Sequence, residues 1–332
     1  MIKSVTIKNL RGIREGELSE LTPLVVLVGP NSSGKSTILD ALLIGASPNP
    51  GESMGIAVSR RNVQRGARWL LWRSGEFGAT EVSVTTAAGA ARTCKILRPE
   101  LDGTSRKVLR VNLVTTTNDG ATDGDTWVRL NPQNGFNTGR DVPSLPDVPV
   151  VRLIEPQGGA SSESLHQLYS LAVERGRRNE VTALIAELVP GVTGIEILTD
   201  ENDPVVHLVF PDHSVPAGLA GDGIQSLLRL SLELATQKGG VALLEEPEVH
   251  EHPGAIRQSA RAIVTAVRRG VQVILSTHSL ELIDALLAEL KDDELPLLSL
   301  YRLKLTDGVL AKSRLDGPSV LRSRGEIGDD LR

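Results

Sequence analysis

The spacing of apolar residues changes character several times along the chain. Val5-Thr6-Ile7 and Leu24-Val25-Val26-Leu27-Val28 read as strands, and the second runs into a glycine-rich turn and a helix from about Lys35 to Leu43. From Glu81 to Val114, short runs of Val, Leu and Thr alternate with Arg, Lys and Ser, as antiparallel strands with one wet face do. Residues 115–148 are rich in Gly, Asp, Asn, Thr and Pro, which predicts a long loop excursion, partly mobile. Helical spacing returns over Ser164–Val173 and Glu180–Val189, and strand character over Gly194–Leu198 and Val205–Phe210. Strict alternation then follows: a helix from about Gly223 to Ala235, strand Val241–Leu244, a helix from about Ala255 to Val267, strand Val271–Leu275 and helix Ser279–Leu287. These last strands are short and almost wholly apolar, as buried parallel strands are. The first forty-five residues and the last hundred are therefore expected to share one sheet-centred α/β core, with the middle inserted into it. No internal repeat and no long heptad run is present, which disfavours an extended coiled-coil arm.

Composition narrows the class without naming it. The 332 residues carry 36 Lys plus Arg against 41 Asp plus Glu, a net charge of −5, so the chain is no basic nucleic-acid coat, although local basic patches are compatible with it. A 40% hydrophobic content supplies a core, and with 2% aromatic residues that core must be Leu, Val, Ile and Ala. So few aromatics also argue against a stacking platform for single strands. One cysteine, Cys94, excludes an internal disulfide and a cysteine-based zinc cluster. No signal-peptide pattern opens the chain and no apolar run reaches the roughly 18 residues of a membrane span. The expectation is a soluble, cytoplasmic protein with no membrane partner.

The strongest chemical signal is Gly29-Pro30-Asn31-Ser32-Ser33-Gly34-Lys35-Ser36-Thr37, which satisfies G-x-x-x-x-G-K-S between a buried strand and a helix. The glycines let consecutive N–H groups wrap a polyphosphate, Lys35 places charge near its β- and γ-phosphates, the Ser36 hydroxyl can ligate Mg²⁺, and Thr37 is the next donor, to the α-phosphate. A merely structural glycine turn needs no lysine and hydroxyl at this spacing. Next, the apolar strand Val241–Leu244 ends in Glu245-Glu246-Pro247-Glu248. At the carboxyl edge of a parallel sheet the first acid, Glu245, can serve magnesium, and Glu246 can polarise an attacking water. The plainer alternative, an acidic N-terminus for the following helix, accounts for Glu248 better than for the adjacent pair. Strand Val271–Leu275 likewise ends in Ser276-Thr277-His278-Ser279. Alone, His278 reads as a capping or core histidine. Beside two phosphate elements it reads as a hydrogen-bonding partner of the γ-phosphate or attacking water.

These elements, in this order, resemble the non-transporter ABC-type ATPases, the branch that includes SMC-like, RecF-like and overcoming-lysogenization-defect (OLD) ATPases. Gly29–Thr37 looks like their Walker A motif, Leu243–Glu248 like Walker B with its catalytic glutamate, and Ser276–Ser279 like the switch-histidine loop. Glu246-Pro247-Glu248-Val249-His250-Glu251-His252-Pro253 is similar to the EEPExHxHP pattern of OLD-like proteins, with Glu245 where Walker B usually has aspartate. The resemblance implies a P-loop NTPase with an ABC-type ATPase head: a single head over 1–332, its nucleotide-binding core at 1–45 and 218–312, and antiparallel strands plus a helical insertion over 46–217. It also makes Ala220-Gly221-Asp222-Gly223-Ile224-Gln225-Ser226 the counterpart of the signature motif, so that Gly221, Asp222 and Gly223 would bind ATP held by a second subunit. On physics alone this segment is a flexible turn before a helix start. The implied cofactors are ATP and Mg²⁺, and the implied state is an ATP-dependent homodimer that hydrolysis opens. The family's glutamine loop matches either Gln64 or Gln157. About twenty residues follow Leu310, too few for the Toprim nuclease some OLD-like proteins carry, so any cutting is expected of a separate partner.

Arg60 to Arg73 sets five arginines around Trp69 and Trp72. Contact with a DNA backbone and a surface helix with inward tryptophans are both compatible with it. Lys291-Asp292-Asp293-Glu294 reads as a solvated helix end, and His250 and His252 need no metal. The leading expectation is an ATPase that cycles a dimer on DNA or beside an effector or nuclease, in a setting such as DNA repair or antiviral defence. An ATP-binding switch with little turnover and a transporter-associated ATPase are the alternatives.

Overall fold

A computed structural model describes residues 1–60, 69–75, 78–97, 100–101, 107–130, 135–155 and 163–331. In chain order its elements are β1 (Ile2–Leu10), β2 (Ile13–Leu18), β3 (Leu24–Val28), α1 (Lys35–Ala46), α2 (Pro50–Ser59), β4 (Thr80–Thr86), β5 (Ala91–Ile96), β6 (Glu100–Leu101), β7 (Lys107–Thr117), β8 (Gly120–Leu130), β9 (Phe136–Thr138) and β10 (Val151–Ile154). There follow α3 (Leu165–Glu174), α4 (Arg178–Leu188), β11 (Gly194–Asp200), β12 (Asp203–Val209), β13 (Ser214–Pro216), α5 (Asp222–Thr236) and β14 (Val241–Glu245). The chain closes with α6 (Pro253–Arg268), β15 (Gln272–Ser276), α7 (Leu280–Glu289), β16 (Leu298–Thr306), β17 (Val309–Asp316) and α8 (Gly317–Arg322).

One mixed sheet runs β10-β14-β15-β3-β16-β17-β2-β1-β4-β5-β7-β8-β9, with β6 paired to β7. Its first five strands are parallel, and β14, β15 and β3 among them are buried on both faces. Within them the period of two divides the side chains. Val25, Leu27, Leu243 and Ile274 pack with Ile38, Leu39 and Leu42 of α1. Their neighbours Val26, Val28, Leu244 and Leu275 pack with α6 and α7. Because both faces need apolar residues, alternation vanishes and the strands read as continuous apolar runs. A three-stranded sheet, β11-β12-β13, packs with α3, α4 and one side of α5 in a second cluster. Leu230 and Leu234 of α5 belong to the α6–α7 core, so this helix joins the two clusters.

The middle of the chain is less separate than the sequence predicts. Strands β4 to β9 extend the main sheet through β1, and β10 lies at the parallel edge beside β14. Residues 115–148 are not one long loop: Thr117 and Gly120 pair across a two-residue turn, and β8 runs to Leu130. The first half of β8 is exposed on both faces, which removes the apolar alternation that identifies a strand. Arg92 of β5 is fully buried and donates from Nη1 to Ser47 O at the end of α1 (2.7 Å), tying the antiparallel strands to that helix. Among the described residues no helix is long and apolar enough to cross a membrane.

Candidate active site

The parallel ladder aligns four strand ends. Ile154 pairs with Leu244, Glu245 with Ser276, and Ser276 with Leu27, so the chain leaves β10, β14, β15 and β3 at one edge. That edge is where open α/β sheets bind ligands.

Gly29 and Gly34, which bracket the loop between β3 and α1, have positive φ (143° and 97°), as does Ser32 (63°). A side chain at Gly29 would place its Cβ 2.4 Å from Leu303 O. Helix α1 begins with no side-chain cap and no acid in its first turn. Its N-terminal N–H groups and dipole suit an anion. The Ser33 hydroxyl is buried without a hydrogen-bond partner. Lys35 is buried and its Nζ donates to Gly29 O (2.8 Å) and Pro30 O (3.2 Å). Burial pushes the Lys35 ammonium below its ordinary range, against the opposing charges of Glu246, Glu245 and Glu248. An uncapped helix start, a buried lysine and an unpartnered buried hydroxyl fit a polyphosphate.

A cleft of about 610 Å³ gathers Asn31, Ser32, Ser33, Gly34, Lys35, Ser36 and Thr37 with Glu246 and His278, and Arg11, Gly12 and Leu305 complete its lining. Gly29 and Pro30 line a neighbouring cleft of about 450 Å³ with Arg302, Lys304 and Lys312. Glu246 adopts φ 46°, unusual for a residue with a side chain, and its N–H donates to Ser276 O (3.0 Å). Its Oε1 lies 3.5 Å from His278 Nε2.

Glu245 meets a cation from a distant part of the chain. Its Oε2 accepts from Nη1 of Arg60, the residue that ends α2. Arg60 Nη2 meets Asp40 Oδ1 at 2.7 Å, and Nη1 also faces Glu155 Oε1 at 3.3 Å. Burial works against the Arg60 charge, yet Asp40, Glu245 and Glu155 outweigh it and hold the guanidinium above its ordinary value. Asp40, fully buried in α1, pairs in addition with Arg11 Nε at 2.7 Å. Among the described residues no group of three or more His, Cys, Asp or Glu side chains is arranged to hold a metal. Ser36 lines the cleft, whereas Glu245 is paired with Arg60.

Glu248 does not serve the helix that follows it. It accepts from Thr277 Oγ1 (2.5 Å) and from the His278 N–H (3.1 Å), while α6 is capped by His252, whose Nδ1 accepts from the Gly254 N–H (3.3 Å). Glu251 accepts from Ser259 Oγ (2.7 Å), and burial raises its carboxyl to about 7. Gly221, Asp222 and Gly223 stand at the start of α5, the first two exposed, outside the lining of the 610 Å³ cleft. A Cβ on Gly223 would lie 3.0 Å from His250 O, so this turn touches the loop that carries Glu246 and Glu248.

Of the arginine-rich stretch, Arg60 is drawn into the site and residues 61–68 lie outside the described residues, as do both glutamine-loop candidates, Gln64 and Gln157. The tryptophans do not both face inward: Trp69 is 49% exposed, while Trp72 abuts Gly308 with the Arg73 guanidinium over its ring. Arg11, Asp40, Arg60 and Glu155 belong to no motif. Asp40 alone carries a signal, a single carboxylate inside the otherwise apolar Ile38–Ala46, which must find a cation if buried.

Residues 1–59 match the family described as "AAA ATPase domain", and residues 157–284 match "AAA domain, putative AbiEii toxin, Type IV TA system". The uncharacterized protein MJECL11 of Methanocaldococcus jannaschii is 32% identical over 123 residues, which cover 34% of this chain and 98% of that protein. MJECL10 of the same organism is 38% identical over 82 residues, 25% of this chain and 34% of that protein. The OLD nuclease of Thermus scotoductus is 27% identical over 321 residues, covering 84% of this chain and 59% of the nuclease. The chain thus spans little more than half of that nuclease. In fold it is similar to the SMC head bound to the C-winged helix domain of ScpA (TM-score 0.53, 12% identity, 95% and 98% covered). It is similar also to the Smc head with an extended coiled coil bound to the C-terminal domain of ScpA from Pyrococcus furiosus (TM-score 0.54, 12% identity, 99% of each chain).

Proposed function

We propose that this chain, which belongs to the OLD/SMC-like ABC-type ATPase domains, hydrolyses ATP to ADP and phosphate and thereby closes and opens a head-to-tail homodimer. The observation that carries the reading is the single cleft shared by Lys35, Ser36, Glu246 and His278. In it, the α1 N-terminus and the loop N–H groups bind the phosphates, and Lys35 exchanges its two carbonyl acceptors for phosphate oxygens. Ser36 and Glu245 would hold Mg²⁺, which when bound neutralises charge on the phosphate oxygens. Glu246 orients a water against the γ-phosphorus and accepts its proton as the bond to the bridging oxygen breaks and ADP leaves. His278 steadies that water through its ring nitrogen.

Gly221, Asp222 and Gly223 would reach the nucleotide of a second copy. The contact between Gly223 and His250 supports a path from that partner's nucleotide to the loop carrying Glu246. The work coupled to the cycle is assigned to DNA or to a partner effector, and the likeness to a protein named OLD nuclease favours a nuclease. DNA repair and antiviral defence are the settings proposed for it.

The second reading, an ATP-binding switch with little turnover, draws on the engagement of Glu245 by Arg60. The strained Glu246 opposes it, because a scaffold has no use for a water-polarising acid at a costly φ. The deciding experiment is the solution mass of Glu246→Gln with Mg²⁺ and either ATP or ADP, repeated with double-stranded DNA. A dimer with ATP alone supports the composite site, and a further shift with DNA assigns the cycle to nucleic acid. A monomer that binds ATP under every condition overturns the head-to-tail mechanism.

A further inference from the structure

We propose that Arg60 is a positioning residue for Glu245: it holds this carboxylate away from the metal site until nucleotide binds, and Glu155 is the acceptor that takes Glu245's place. The inference rests on the ATPase reading above.

The geometry is that of an exchange point. Arg60 sits between the ends of two neighbouring parallel strands, β10 and β14, and its Nη1 faces one carboxylate from each, Glu155 and Glu245. Its other nitrogen, Nη2, is fixed on Asp40 at 2.7 Å. The guanidinium side chain is 3% exposed, so water cannot stand in for a carboxylate that leaves. Glu245 is more buried than Glu155, whose side chain is 25% exposed. A half-buried carboxylate gains from a facing cation, and Arg60 supplies one to Glu245. To hold Mg²⁺ together with Ser36, Glu245 would have to loosen that pairing. Glu155 makes the loosening affordable, since it already stands 3.3 Å from the same nitrogen. Asp40 does not take part in the exchange because Arg11 holds it independently at 2.7 Å.

The consequence is a Mg²⁺ dependence of ATP binding that two variants change in opposite directions. Glu155→Gln removes the charge that would replace Glu245, so Arg60 grips Glu245 harder. Arg60→Gln removes Arg60's hold on Glu245, while Arg11 still faces Asp40. The quantity to measure is the gain in ATP affinity between EDTA and saturating Mg²⁺, by titration calorimetry on the full chain, with melting temperatures recorded in parallel. The gain is expected to fall about three- to tenfold in Glu155→Gln and to rise by a similar factor in Arg60→Gln. A purely structural role for Arg60 would lower its melting temperature and leave the gain untouched. Unchanged gains, or gains that move in the same direction, overturn the inference while leaving the ATPase reading in place. A wild-type chain that binds no ATP with or without Mg²⁺ overturns both.

Discussion

Glu246 Oε1 lies 3.5 Å from Nε2 of His278, across the ends of adjacent strands β14 and β15. Both side chains line the same cleft, and the roles proposed for them differ. Glu246→Gln is expected to slow hydrolysis by about 10²–10⁴-fold while leaving ATP affinity within a few-fold. His278→Ala should cost less, because it removes a steadying contact and not the proton acceptor. Single-turnover phosphate release beside equilibrium binding checks both.

Lys35→Ala should weaken ATP binding by about 10- to 100-fold, the loss of a charge-assisted contact, and abolish turnover. Without nucleotide its stability should change little, since the variant also removes a buried cation whose charged form is disfavoured by desolvation. Calorimetry and thermal melting separate the two effects. A large drop in nucleotide-free stability would mean that Lys35 is chiefly structural.

Two glycines should behave oppositely. Gly29→Ala meets Leu303 O at 2.4 Å from a backbone at φ 143°, and is expected to destabilise the fold by about 2 kcal/mol or more. Gly221→Arg enters open space, with no atom within 4 Å of a new Cβ, and should leave stability within about 0.5 kcal/mol. Its effect belongs to assembly: the ATP-dependent dimer should be lost. A Gly221→Arg chain that still dimerises with ATP removes the signature role from residues 221–223.

Stability should also depend on pH through Glu251. Its folded carboxyl sits at about 7, raised by burial from an ordinary 4.5, so between those values the folded state binds more protons than the unfolded. That contribution is fully present below about pH 4.5 and is lost as pH rises through 7, a decline on the order of 3 kcal/mol at most. Denaturant unfolding at pH 5 and pH 8 should show the decline, and Glu251→Gln should flatten it.

Much of this site is legible in residue order, for a physical reason. Phosphate loops need glycines, a lysine and a hydroxyl at fixed spacing, so Gly29–Thr37 and its place between β3 and α1 are legible from residue order. The same holds for the parallel core, whose strands must be apolar on both faces. Strand β8 escapes because its exposed half has no burial to record, and β10 because four residues, Val151-Arg152-Leu153-Ile154, carry too little period. Glu248 misleads, since an acid just before a helix suggests a cap, whereas the loop folds it back onto Thr277. Arg60 and Glu155 lie 95 residues apart and meet only because β10 joins the edge beside β14. No local pattern encodes that meeting.

The pairing of Glu245 with Ser276, and of Ser276 with Leu27, makes the spacing of this chemistry a matter of backbone counting. Successive residues of a strand point to opposite sides, so one residue inserted or deleted within β14 would turn its side chains to the other face and shift Glu245 from its place beside Ser276. An indel in any of the four short strands β10, β14, β15 and β3 would move the side chains gathered at this edge. The parallel ladder is therefore the reading frame of the site.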